Sequence, residues 1–281
     1  MLAEQRLSDG QLQAALEALQ DDVRRAPANP KLRVFLFQLL TVLGQWERAL
    51  KQLQVAATLD PEATAMAQTY RELIRCEVFR REVFEGKRAP LVVGEPEPWL
   101  ASLVQALQHT AEGRHHAAEA LRAESFATAS ASAGTLDGKP FEWLADADSR
   151  LGPVLEAVVR GRYHWVPYAR LSKLEVTAPV DLRDLVWLPA KLTFQTGDET
   201  DCFIPTRYPG SEQSANDAVR LARRTEWLEL GEQTACGLGQ RVLTTDEGEA
   251  DLMDLRLVEF ARVAESRTQA SSTVESDQPS G

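Results

Sequence analysis

Apolar residues recur every three or four positions through the first 130 residues, and this spacing predicts amphipathic helices. Leu39 and Leu43 lie on the apolar face of one such helix, and Trp46 begins the next. A longer helix is predicted over residues 64–84, and a further helical hairpin over residues 99–126. The first part of the chain is therefore expected to be a stack of helices.

Two stretches of this helical region repeat with a period of 34 residues. The recurring positions are a turn glycine, an alanine and a proline: Gly10, Ala15 and Pro27, then Gly44, Ala49 and Pro61. A weaker third copy contains Gly113 and Ala118. This period is typical of tetratricopeptide hairpins, in which glycine turns the chain and alanine lets two helices approach closely. Such hairpins stack into curved surfaces that hold a segment of another protein, so an adaptor is predicted rather than an enzyme.

The pattern changes after residue 126. Residues 127–134 are small and polar, which is typical of a linker, and short alternating stretches that predict strands follow. These stretches are residues 162–168, 171–176, 185–188, 191–195, 201–204, 225–230 and 239–245. One short helix is predicted over residues 151–159, because Pro153 would fit its first turn.

The predicted fold class is multi-domain α+β. Tetratricopeptide-like helical hairpins are expected over residues 1–130, followed by an antiparallel β-barrel or sandwich-like domain over residues 131–263. Residues 264–281 contain mostly serine, threonine, glutamine and glutamate, with little to bury, so a disordered tail is expected there.

Composition and charge limit the possible partners. The chain has 281 residues, of which 44% are hydrophobic, so it can bury a core without a metal or a disulfide. Its net charge of -11 argues against nucleic-acid binding, which draws on Lys and Arg. Up to Thr135 there are 15 Lys+Arg and 17 Asp+Glu, and beyond it 16 and 25. The second half is thus the acidic half, and its surface could attract a basic partner.

The cysteines and the N-terminal residues predict a cytoplasmic protein. Cys76, Cys202 and Cys236 lie far apart without a CxxC motif, which favours free thiols in a reducing compartment. Glu4 and Asp9 stand where a secretion signal would be apolar. No stretch approaches the roughly eighteen apolar residues of a membrane helix. No membrane partner and no cofactor are expected.

Several motifs resemble those of the ImpE/TagJ family. They include Gly44-Gln45-Trp46-Glu47-Arg48-Ala49-Leu50, Asp146-Ala147-Asp148-Ser149-Arg150-Leu151-Gly152-Pro153, Asp181-Leu182-Arg183-Asp184-Leu185-Val186-Trp187-Leu188-Pro189 and Ile204-Pro205-Thr206-Arg207-Tyr208-Pro209-Gly210-Ser211. The resemblance implies a non-enzymatic accessory protein of bacterial type VI secretion. Members of this family are thought to link the small sheath subunit TssB to the AAA+ ATPase ClpV, which dismantles the used sheath. A sheath-subunit chaperone with no ATPase contact is an alternative.

The helical repeat also predicts where a partner would bind. The first helix of each hairpin is expected to line the concave face of the stack, where an amphipathic partner helix could lie. Counting from the repeat phase gives nine candidate side chains: Lys31, Val34, Gln38, Thr41, Val42, Ala65, Gln68, Glu72 and Arg75. Packing in the core is the alternative role for Val34 and Val42.

An enzymatic alternative rests on Asp146, Asp148 and His164, which could serve a metal-dependent hydrolase in the β half. Two carboxylates supply fewer oxygens than a cation site usually needs, and the chain has no HExxH motif. Capping of a following helix and pairing of an aspartate with Arg150 are the favoured roles of these carboxylates.

Overall fold

A computed structural model shows the fold and describes residues 1–95, 97–232 and 234–261. The helices are α1 Leu2–Ser8, α2 Leu12–Arg25, α3 Pro30–Val42, α4 Trp46–Leu59, α5 Thr64–Phe84, α6 Pro98–Ala111, α7 His115–Thr128 and α8 Asp217–Arg220. The strands are β1 Leu91–Val92, β2 Gly134–Leu136, β3 Lys139–Phe141, β4 Leu144–Asp146, β5 Val154–Val159, β6 Arg162–Pro167, β7 Leu171–Val176, β8 Trp187–Phe194, β9 Glu199–Pro205, β10 Thr225–Glu229, β11 Ala235–Gly239, β12 Val242–Thr245, β13 Gly248–Asp251 and β14 Leu257–Phe260. The tail expected over residues 264–281 lies outside the described residues.

The helical hairpins form where the repeat predicts them. Gly10 and Gly44 have backbone φ angles of 75° and 66°, in the left-handed region that favours glycine, and each ends the first helix of a hairpin. Asn29 begins α3, because its side chain accepts a hydrogen bond from the backbone N–H of Lys31 at 3.0 Å. Helix α5 has the predicted bounds. Within the described residues, no helix is both long and apolar enough to cross a bilayer.

Most of the strands among the described residues join one large sheet, in the order β1-β6-β5-β9-β8-β7-β14-β2-β3. Neighbouring strands in this sheet are antiparallel, except that β1 pairs in parallel with β6. Two smaller sheets have the orders β10-β11 and β13-β12-β4. The expected antiparallel β region is confirmed, but its strands form open sheets and no closed barrel is seen in the described residues.

The prediction of a helix over residues 151–159 is wrong, because Val154–Val159 form strand β5. This strand lies between β6 and β9, and its residues from Val154 to Val158 are all buried. A strand that is covered on both faces shows a continuous apolar run instead of alternation, so its periodicity resembles that of a buried helix. Pro153 precedes the strand.

The two strands predicted over residues 185–188 and 191–195 form a single strand, β8. Pro189 lies inside β8, next to Ala190, which is the residue of β8 at the end of its pairing with β7. The missing N–H therefore falls where the β7 ladder ends, a place where a sheet tolerates proline.

Two apolar cores lie on opposite faces of the large sheet. The first packs the helices on β5, β6 and β8 and includes Leu39, Tyr70, Trp165 and Trp187. The second lies on the other face and includes Leu174. The Tyr70 and Trp187 rings lie 5.8 Å apart between centroids, so they join α5 to the sheet. The helical region thus packs directly on one face of the β region.

Candidate partner-binding groove

The structure places the nine predicted side chains in two different environments. On α3, Gln38, Thr41 and Val42 are buried, with exposed fractions of 7%, 0% and 0%. Lys31 on the same helix is exposed, and Val34 is half-buried. Whether any of these residues binds a partner stays a prediction, but the three buried ones are inaccessible to a partner in this conformation.

The chain itself covers the inner face of α3. The short 3-10 helix Leu182–Leu185 packs against α3. Arg207 donates a hydrogen bond from Nη1 to the Val42 carbonyl oxygen at 2.8 Å. These contacts come from the loops that flank β8 and β9, so the hollow expected beside α3 is filled by the protein's own β region.

Helix α5 keeps its predicted side chains accessible. Ala65, Gln68 and Arg75 are exposed, and Glu72 is half-buried. Gln68 and Glu72 line a groove of about 770 Å³ between α5 and the strand ends of the large sheet. This cavity is called the α5 groove below, and its lining is Gln68, Thr69, Arg71, Glu72, Leu73, Val158, Arg160, Gly161, Thr200, Asp201 and Phe203.

The α5 groove combines an apolar base with charged sides. Leu73 and Val158 are buried beneath it, and Phe203 is half-buried with its ring 6.1 Å from that of Tyr70. Charges of both signs surround this base. Arg71 and Arg160 are basic, and Glu72 and Asp201 are acidic; all four line the cavity. An amphipathic helix has the matching arrangement, an apolar stripe flanked by polar side chains.

Arg160, Asp201 and Phe203 are groove residues that the sequence did not predict. Arg160 and Gly161 form the tight turn between β5 and β6, with φ angles of 50° and 72°. A two-residue turn of this kind requires positive φ at both positions and often ends in glycine. The Arg160-Gly161 pair was therefore a sequence signal for a β-hairpin. The hairpin was not predicted, because its first strand was assigned to a helix over residues 151–159.

A buried network of charges fixes α5 to the sheet. Arg80 of α5 donates from Nε and Nη2 to the two carboxylate oxygens of Glu156 on β5, at 2.6 and 2.9 Å. Arg241 pairs with the same carboxylate and with Asp146, the latter at 2.5 Å. Tyr163 also donates to Glu156. Loss of one partner from such a buried network is strongly destabilising, because a charge is left uncompensated.

The network also shifts the acidities of its members. Burial by itself would raise the pKa of Glu156, but the Arg80 and Arg241 charges outweigh it and lower that pKa to about 2. At Asp146, burial exceeds the opposing effect of Arg241 and raises the pKa to about 6. The two acids therefore have pKa values shifted in opposite directions, and their contributions to stability change with pH in opposite senses.

Each residue of the enzymatic alternative has other partners, although the Asp148 backbone N–H also donates to Asp146 Oδ1 at 2.9 Å. Asp146 pairs with Arg241, and Asp148 pairs with Arg150 and accepts the backbone N–H of Gly237 at 3.0 Å. The aspartate–Arg150 pair is thus confirmed, but helix capping is wrong, because strand β5 follows. His164 lies on strand β6, and its Nδ1 is 2.8 Å from the carbonyl oxygen of Arg162 on the same strand. Among the described residues, no group of three or more His, Cys, Asp or Glu side chains could hold a metal ion.

The fold and the groove define a helical-repeat scaffold packed on an antiparallel sheet. Residues 138–259 match the family model described as ImpE protein, and residues 6–73 match a tetratricopeptide repeat model. Over 260 residues the chain is 52% identical to the type VI secretion system accessory component TagJ of Pseudomonas aeruginosa, with 92% of this chain and 91% of the relative covered. This chain belongs to the ImpE/TagJ family of type VI secretion accessory proteins.

A solved structure supports the same fold. The crystal structure of protein VPA1032 from Vibrio parahaemolyticus is similar to this chain with a TM-score of 0.86 and 27% sequence identity. The match covers 94% of this chain and 99% of that one. The helical region and the β region therefore occur together in a relative of low sequence identity.

Proposed function

We propose that this chain is a non-enzymatic, cytoplasmic adaptor of bacterial type VI secretion. It binds a helical segment of the small sheath subunit TssB in the α5 groove and helps to couple the sheath to the AAA+ ATPase ClpV. The observation that carries the proposal is the contrast between the inner helices: the predicted side chains of α5 remain accessible beside a groove, whereas three of those on α3 are buried. Family membership supplies the secretion context.

The α5 groove suits a partner helix with one apolar stripe. That stripe would lie over Phe203, and its flanking charges would meet the basic Arg71 and Arg160 or the acidic Asp201. Of the predicted side chains, Gln68 and Glu72 line the groove, and the exposed Arg75 pairs with Glu72. We assign the second contact, to ClpV, to the acidic β half. Holding both partners raises their local concentration without any chemistry.

Binding can be tested with the full chain and a peptide of the N-terminal segment of TssB by isothermal titration calorimetry. The variant Glu72→Arg with Arg75→Glu reverses both charges and keeps the intrahelical pair, whose atoms lie 2.7 Å apart. We expect its affinity for the peptide to fall by about tenfold or more. A matched control, Asp21→Arg with Arg24→Asp, swaps a similar exposed pair on α2 and should bind normally. Equal binding by both variants would remove the α5 groove from the site.

A pull-down with purified ClpV separates the adaptor from the chaperone alternative. An adaptor retains ClpV together with TssB, whereas a chaperone that only stabilises the sheath subunit retains TssB alone. If the full chain binds TssB but no ClpV, with or without TssB present, the coupling role is wrong and the chaperone role is favoured.

A further inference from the structure

Strand β10 forms an exposed edge with apolar side chains. Trp227, Leu228 and Leu230, on or next to this strand, are 39%, 46% and 37% exposed. Edge strands of soluble proteins are usually protected by proline, by charged side chains, especially lysine, or by a bulge. The strand residues Thr-Glu-Trp-Leu-Glu include two glutamates but neither proline nor lysine, and their pairing with β11 is regular. This edge therefore has the features of a docking strand.

The hydrogen-bond phase identifies which backbone groups point away from β11. The Leu230 N–H donates to the Thr234 carbonyl oxygen at 2.9 Å, and the Gln240 N–H donates to that of Arg224 at 3.3 Å. In an antiparallel pair the residues bonded to the neighbouring strand alternate. The even-numbered residues of β10 therefore bond to β11, and the odd-numbered ones face outward.

The outward residues are Thr225, Trp227 and Glu229. Each presents a backbone N–H and a carbonyl oxygen at the open side of the strand, where no other strand among the described residues pairs with β10. A second strand placed there would satisfy these groups and cover the exposed apolar side chains, as in β-strand addition.

The hairpin that carries this edge is firmly held. The Ala235 carbonyl oxygen on β11 accepts hydrogen bonds from the Ser149 backbone N–H at 3.1 Å and from the Ser149 hydroxyl at 2.9 Å. The Ala235 N–H in turn donates to the Ser149 hydroxyl oxygen at 3.0 Å. The Gly237 N–H donates to Asp148, and the Trp227 ring lies 5.6 Å from that of Tyr208. A strand held in this way loses little conformational freedom when it docks.

The charges along β10 are self-complementary. Arg223 and Arg224 precede the strand, and Glu229 and Glu232 stand at or beyond its end. Glu226 lies within the strand, with its Oε1 3.6 Å from Arg224 Nε. When two copies of the strand run antiparallel, the basic start of one lies near the acidic end of the other. Charge complementarity therefore favours a second copy of this chain as the occupant.

We propose that β10 pairs with β10 of a second copy about a two-fold axis through Trp227. This axis places Thr225 of each strand opposite Glu229 of the other, so all the outward N–H and carbonyl groups find partners. Arg224 then lies diagonal to Glu232 of the second copy, within reach of a long side chain. If the proposed function also holds, the dimer presents two α5 grooves, and this bivalence strengthens binding to a polymeric sheath.

Sedimentation velocity of the full chain over about a hundredfold range of concentration tests the pairing. We expect a reversible monomer–dimer equilibrium. Glu229→Pro removes an outward N–H and should weaken dimerisation by about tenfold or more, while leaving the bonds to β11. Glu229→Gln keeps that N–H and should retain most of the dimerisation. A chain that stays monomeric throughout, or a dimer that is indifferent to Glu229→Pro, overturns the proposal.

A charge exchange tests the register without relying on proline. Arg224→Glu and Glu232→Lys should each weaken the dimer, because each places like charges on the diagonal. The variant with both substitutions restores opposite charges and should recover dimerisation. If the double variant is as weak as the single ones while circular dichroism shows all of them folded, the antiparallel pairing centred on Trp227 is wrong. These measurements contain neither TssB nor ClpV, so their failure leaves the proposed function untouched.

Discussion

Helices α3 and α5 have the same place in successive repeat hairpins, yet they meet different surroundings. The inner face of α3 is sealed by the segment Leu182–Leu185 and by Arg207. Helix α5 contacts the sheet through Tyr70 and Arg80. Two of its predicted side chains, Gln68 and Glu72, line a groove. Repeat phase thus identifies the inner face of a helix, whereas the rest of the fold decides whether that face stays open.

Placing charges on the covered face of α3 should destabilise the protein more than any other change proposed here. Gln38→Glu with Thr41→Arg places charges at two buried positions of α3 and should cost on the order of 4 kcal/mol or more in the free energy of unfolding. A charge change on α5, Gln68→Glu with Arg75→Glu, affects exposed positions. It should cost about 1 kcal/mol, because it removes the Arg75–Glu72 pair and places like charges beside Glu72. Urea denaturation followed by circular dichroism measures both. Similar stabilities for the two variants would mean that α3 is open in solution.

Truncation of Trp187 should weaken the packing between the helices and the sheet. Its fully buried ring packs on Tyr70 and lies 6.0 Å from that of Trp46. Trp187→Ala should cost about 3–5 kcal/mol, and Trp46→Ala less, because Trp46 is only partly buried. Calorimetry should show one unfolding transition that moves as a whole. Two transitions, of which Trp187→Ala shifts only one, would show that residues 1–130 and 131–263 unfold separately.

Acid should weaken the network that holds α5. The folded-state pKa of Glu156 lies near 2, below its ordinary value of 4.5, so its stabilisation is present above about pH 4.5 and is lost as the pH falls towards 2. That contribution is on the order of 3 kcal/mol. Asp146 acts in the opposite sense: its pKa is raised to about 6, so its contribution falls as the pH rises through the range between about 4 and 6.

The variant Glu156→Gln separates these two effects. It should be less stable than the parent near neutral pH and should lose the acid-dependent part of the stability, while the effect of Asp146 remains. Urea midpoints measured between about pH 3 and pH 7 test this. An unchanged acid slope in the variant would assign the acid sensitivity to other carboxylates.

The smallest effect concerns thiol reactivity in the two regions. Burial raises the pKa of Cys76 on α5 and of Cys202 on β9 to about 12. Near pH 8 their thiolate fractions, and hence their labelling rates, should be roughly a thousandfold below those of an exposed cysteine. Added urea should expose both thiols over the same concentration range if the helices and the sheet unfold together. Earlier labelling of Cys76 alone would indicate that the helical region opens first.

Local signals predicted the helical region well. Apolar spacing gave the bounds of α5, and the repeated Gly10 and Gly44 mark turns that need positive φ. These features depend on residues close together in the chain. Strand β5 was missed because its apolar run reflects burial on both faces, which depends on β6, β9 and the helices.

The groove was predicted only in part for the same reason. Repeat counting identified Gln68 and Glu72, but Arg160 and Asp201 come from turns and strand ends that approach α5 only in the folded chain. The Asp146–Arg241 and Arg80–Glu156 pairs join residues 95 and 76 positions apart, and no local pattern relates them.

Periodicity, turn residues and motifs are enough to predict the helical hairpins, the change to strands after residue 126 and the family to which the chain belongs. Which inner helix is covered depends on contacts that form only in the folded protein. Arg207 reaches the Val42 carbonyl oxygen from 165 positions away. The side chains of α3 are buried because contact with the β region removes apolar surface from water, which is favourable. This burial occurs only when the whole chain packs.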